Sequence, residues 1–147
     1  MSKSVLVEPK FGKDGILDFP FLIDGEISEI VTSGNIHYQN FVVKITYPKI
    51  QQPPLYYEVK VKGVKSYYLA NVYNQNIITD TYYQSNEDIL KNPDETLKKF
   101  AITHEHEITF FKEIIERDAL CLLEFLPTIG AHIIFLCKSF EFFSIEV

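Results

Sequence analysis

Apolar and polar side chains alternate with a period of two from 36 to 83 and switch to a helical period after Ser85, while residues 1–31 are the least readable part of the chain. Within 36–47, Phe41, Val43, Ile45 and Tyr47 share one face, and Val42, Lys44 and Thr46 share the other. That pattern predicts a strand. The stretch 48–54 cannot continue a central strand, because its prolines lack the ladder donor. Beyond it Leu55, Tyr57, Val59 and Val61 oppose Tyr56, Glu58, Lys60 and Lys62, as in a strand with one wet side. Lys62-Gly63 reads as a tight turn into a strand over 65–73, Asn74-Gln75-Asn76 as a second turn, and 77–83 as a fourth strand. The segment 36–83 is therefore expected to be an antiparallel meander. Earlier, 4–7 reads as a short strand, and Asp24-Gly25 as a hairpin signal between 21–23 and 26–31.

Two helices are predicted, over 85–101 and 104–117. Asn92-Pro93-Asp94-Glu95 carries a capping residue, a proline suited to a first helical position and an acid three residues after the cap. In the second helix Ile108, Phe111, Ile114 and Ile115 recur at helical spacing behind Glu105 and Glu107, and Arg117 suits the last turn. The segment 119–138 returns to strand. Pro127-Thr128-Ile129-Gly130 reads as a hairpin loop, with Gly130 in the left-handed position. This loop sets a register that pairs Phe125 with Ile133, Leu123 with Phe135 and Cys121 with Cys137. Both faces of the hairpin are apolar, so it should be covered on both sides. A last strand is expected over 141–146. The fold expected is α+β: a single domain, 1–147, with an antiparallel sheet of about six to eight strands, a meander plus a C-terminal hairpin, and two helices on one face.

Composition changes this picture in three ways. Residues 1–65 carry eight Lys against seven acids, whereas 66–147 carry six bases against thirteen acids, so negative charge collects where the helices are. One arginine among fourteen basic residues, with a net charge of −6, argues against nucleic acid as a partner. Two cysteines, no leader-like apolar run at the start and no apolar stretch of bilayer length lead to the expectation of a soluble cytoplasmic protein with no membrane partner.

Candidate chemistry is sparse. His104-Glu105-His106-Glu107 offers imidazoles and carboxylates. Residues two apart on a helix point about 200° from each other, however, and the spacing is not that of a zinc protease, so no metal is assigned. His37 and His132 stand alone in sequence and read as strand histidines. No catalytic residue and no cofactor is assigned. Cys121 and Cys137 are read either as a redox pair or as two small buried hydrophobes, and the rarity of cytosolic disulfides favours the second.

Three tyrosine doublets, 56–57, 67–68 and 82–83, each put one ring on either face of a strand. Tyr56, Tyr68 and Tyr82 on one face, near Asp80, would make an aromatic patch suited to recognition, unless the helices cover it. With Glu87 and Asp88, these four are the expected partner-binding residues. The functional reading is a small acidic protein-binding module that meets a basic protein. In size and charge it resembles inhibitors of the bacterial immunity type, which neutralise toxin domains, though no motif carries that likeness. The alternative is a small-molecule-binding protein or enzyme with an aromatic-lined pocket between sheet and helices. A homo-oligomer joined through the aromatic face is a third class.

Overall fold

The structure is a computed structural model that describes residues 3–20, 22–35, 37–47, 55–72 and 75–146. Its strands are β1 (Lys3–Val7), β2 (Lys10–Phe11), β3 (Leu17–Phe19), β4 (Glu26–Gly34), β5 (Gln39–Tyr47), β6 (Leu55–Val64), β7 (Ser66–Ala70), β8 (Ile77–Gln84), β9 (Cys121–Ile129), β10 (His132–Cys137) and β11 (Ser139–Glu146). The helices are α1 (Asn86–Lys91), α2 (Pro93–Lys98) and α3 (Glu105–Arg117). Nine strands form one antiparallel sheet, more than the six to eight expected, and β2 and β3 make a separate two-stranded ribbon. None of the described helices is long and apolar enough to cross a membrane.

The expected meander is corrected. β5 and β6 do pair as neighbours, but Lys62-Gly63 is not a hairpin turn. Strands β6 and β7 are two halves of one strand bent near Lys65, and β10 and β11 are two halves of another bent at Lys138. The two bent strands pair along their whole length. At the shared corner, Lys138 N–H donates to the carbonyls of Lys62 (3.0 Å) and Gly63 (3.2 Å), and Lys65 N–H donates to Leu136 (2.8 Å). Gly63, at φ +63°, supplies the left-handed residue that this bulge requires.

The bend closes the sheet. β4 pairs with β5, β5 with β6, β6 with β11, β10 with β9 and β9 with β8, and β8 returns to β4 through the single pair Glu26 and Ile77. A ring of strands results, with β1 added outside on β11. The Asp24-Gly25 turn leads into β4 as expected. The partner of β4 is the following strand, β5; of the expected strand before the turn, residue 21 lies outside the described residues and 22–23 do not pair with β4.

The alternation read in the sequence points into this ring. Phe41, Val43, Ile45, Val59, Val61, Leu123, Phe125, Ile133, Phe135 and Phe142 fill it, each with 4% exposure or less. The rings of Phe41 and Phe135 meet across it at 5.0 Å. Filling by interdigitated side chains leaves this interior as core, in the manner of small barrels.

A second core lies outside the ring. Ile89, Leu97, Phe100, Ile102, Ile114 and Ile115 pack on Leu120, Leu122, Ile134 and Leu136, so the hairpin of β9 and β10 is covered on both sides, with the expected register. The predicted helix over 85–101 is two helices. Ser85 caps α1, its Oγ accepting from Asp88 N–H, and Asn92, at φ −152° and ψ 72°, breaks the run before Pro93 restarts it. Proline lacks the N–H that a continuous helix would need at this position. α3 matches its predicted span, with His104 as its N-cap residue.

Candidate functional site

Across the outer face of the hairpin runs one row of opposed residues: Tyr82 on β8, Glu124 on β9, Ile134 on β10 and Tyr68 on β7. The helices cover the neighbouring row, leaving this one at the rim of the second core. Tyr68 and Tyr82 are half-buried there, packed against it. Glu124, at 4% exposure, is the buried carboxylate of the row.

A buried carboxylate needs compensation at both oxygens. Lys99, just past α2, places Nζ 2.8 Å from Oε1. His132 places Nε2 2.6 Å from Oε2 and donates its N–H to it. The aromatic rings complete the enclosure. Lys99 Nζ lies 4.8 Å from the centre of the Tyr82 ring, and Tyr68 meets the His132 ring edge-on at 5.7 Å. Thr96 Oγ1 donates to Gln84 Oε1 at 3.1 Å, and together with Asn92, Glu95, Tyr82 and Lys99 these residues line a polar cleft of about 270 Å³. Chemically, this arrangement can hold a cation over an aromatic ring and against a carboxylate. Lys99 of the chain itself fills that role.

Above the cleft, the helices present carboxylates outward. Asp88 is held by Lys91 (3.3 Å) and Asp94 by Lys112 (2.8 Å) within the helical layer, while half-buried Asp118 is held by Arg117 (3.2 Å) and by Lys65 of the β6–β7 corner (4.0 Å). The hydrogen bond from Arg117 keeps the Asp118 carboxyl below the usual range. Glu95 accepts from Asn92 at 3.0 Å. Glu87, Glu105, Glu107, Glu113 and Glu116 are exposed, with no ion pair among the described residues.

Phe110 stands among the acids of α3. It is 57% exposed, against 50% for Phe19 and 49% for Tyr67. Helical spacing makes Glu107 and Glu113 its neighbours, one turn away on either side. Its ring rests edge-on against half-buried Phe111 at 5.6 Å, so the exposed ring is backed by core.

The six expected contact residues do not form one patch. Tyr82 and Tyr68 share the row through Glu124, and Asp80 lies one step along β8, opposite Leu126. Glu87 and Asp88 are exposed on α1. Tyr56 is elsewhere: it sits on β6 between Thr46 and Ile145, because the bend at Gly63 sends β7 away from β6's own face. His104 and His106 are exposed at the start of α3, and no group of three metal-ligating side chains occurs among the described residues. His132, read in sequence as isolated, is the histidine that meets an acid. Lys99, Glu124 and Phe110 were not singled out by the sequence reading.

A second hollow lies along β5 and β6 beside the corner. Lys60, Lys62 and Lys138 line an open hollow of about 530 Å³ with Tyr38 and Asn40. There Lys62 pairs with Glu141 at 2.6 Å, and Lys60 lies 4.7 Å from the centre of the Phe143 ring. No family model matches the chain, and no curated protein or solved structure matches it either.

Proposed function

We propose that this chain is a protein-binding module whose helical face receives a basic protein partner. The observation that carries this reading is Phe110, an exposed aromatic ring backed by core and set among unpaired glutamates. An exposed aromatic ring backed by packed side chains can serve as a binding anchor, and the surrounding acids would steer a cationic surface toward it. An inhibitor that covers a basic toxin domain is one form of such a module. Tyr68, Asp80 and Tyr82 would meet the partner at the edge of this face, and Glu87 and Asp88 along α1.

The second reading, a small-molecule site or enzyme, draws on the convergence of His132 with Glu124. The layer between sheet and helices is filled by Ile89, Leu97, Ile115, Leu122, Ile134 and Leu136, which confines any ligand to the rim cleft. That leaves the helical face as the better-supported site.

The test places a photo-cross-linking phenylalanine analogue at position 110 and, as a control, at Val31, an exposed apolar residue on β4. Irradiation in cells of the native host is expected to give one adduct with a basic protein from position 110 and none from position 31. Equal adducts from both positions, an adduct only with a second copy of this chain, or no adduct from position 110 would contradict the proposal.

A further inference from the structure

Two thiols inside the strand ring are arranged to react with each other. Cys121 opens β9 and Cys137 ends β10, directly opposite in the antiparallel register. Opposed residues project to the same face, and their Cβ atoms fall within about 4.5–5.5 Å, next to the range a disulfide spans. The sulfurs are 3.8 Å apart. Cys121 begins its strand at the entry from α3, and Cys137 lies beside the bend at Lys138, so closing the remaining gap moves the backbone at a strand start and at a corner. Cys121 retains 8% exposure and Cys137 none.

We infer that Cys121 and Cys137 are a reversible dithiol–disulfide site, oxidised by a low-molecular-weight disulfide, with Cys121 as the attacking sulfur and Cys137 as the resolving one. Exposure sets this order: Cys121 keeps the residual accessibility through which a small disulfide reaches the pair, and Cys137 has none. The hydrogen bond from Cys137 favours the thiolate of Cys121 and holds its pKa below the usual thiol value, while the same bond and burial push Cys137 up.

In the first step the Cys121 thiolate attacks one sulfur of the small disulfide. That S–S bond breaks, a mixed disulfide forms on Cys121, and one small thiolate leaves and takes up a proton. In the second step Cys137 loses its proton and attacks Cys121 Sγ, the mixed disulfide breaks, and the second small thiol departs. The two protein thiols lose two electrons in total, and the small disulfide is reduced to two thiols. The bond closes the hairpin loop and restrains the unfolded chain, so the oxidised protein should melt about 5–10 °C higher.

The experiment incubates the folded, full-length chain with oxidised glutathione for a day and reads mass, thiol titre in denaturant and melting temperature. The expected product is lighter by two hydrogens, has no free thiol, carries no glutathione, melts higher and returns to the starting state with dithiothreitol. Cys137→Ser should stop at the mixed disulfide on Cys121, and Cys121→Ser should stay unmodified. Retention of both thiols in the native chain, a stable glutathione adduct on it, or equal adduct formation by the two serine variants would overturn the assignment.

Discussion

A chain carrying Lys99→Met and His132→Leu together is expected to lose about 3–5 kcal/mol of stability, because both substitutions strip the same buried carboxylate. Glu124 is 4% exposed and its two oxygens are taken by Lys99 and His132. Neither partner is equally buried: their side chains are 36% and 30% exposed, so each can turn to water when the carboxylate is removed. The penalty therefore falls on the acid left behind. Adding Glu124→Leu to the double variant should recover most of the loss, since an apolar trio of similar volume needs no counter-charge. Urea unfolding of the three chains measures this. If the double variant changes by less than about 1 kcal/mol, or the added leucine gives no recovery, the Glu124 carboxylate does not depend on Lys99 and His132.

Phe110→Ala is expected to weaken partner binding by about thirtyfold or more, the loss of a hot-spot aromatic of at least about 2 kcal/mol. Stability should stay within about 0.5 kcal/mol of the parent, because the ring is 57% exposed and its removal opens no cavity. Titration of the partner captured at position 110, alongside urea unfolding, separates the two effects. Unchanged affinity would remove Phe110 as the anchor. Parallel losses of affinity and stability would make it a structural residue of α3 instead.

What could be read from the chain depended on how local the signal was. The register of the β9–β10 hairpin follows from one glycine, Gly130 at φ +83°, and from strict alternation on either side. That same register places His132 opposite Leu126 and so diagonal to Glu124, which means the histidine's partner was within reach of the sequence reading. Lys99 was not, because it meets Glu124 from 25 residues away through the packing of α2. α3 was legible because first-turn acids, the last-turn arginine and the apolar period agree, whereas the break at Asn92 depended on giving Pro93 more weight than the continuing apolar period.

The ring closure was hidden for a different reason. Gly63 in a left-handed conformation serves equally in a hairpin turn and in a bulge at a bend, and only the pairing of Lys62 with Ser139, 77 positions along, separates them. That choice also decided whether Tyr56 would join Tyr68 and Tyr82. The acidity of the helical layer was visible from counts alone, but the exposure of Phe110 was not, since its neighbour Phe111 suits the same helical pattern and is the one turned inward.

The association rate of the captured partner as a function of salt tests the account most directly, measured for the parent chain and for a variant with Glu105, Glu107, Glu113 and Glu116 all changed to Gln. If the outward glutamates of α3 draw a cationic protein, the parent's rate should fall about tenfold or more between low and high ionic strength, and the neutralised variant should start slow and change little. Identical, salt-indifferent rates for the two chains would mean that the helical carboxylates guide nothing.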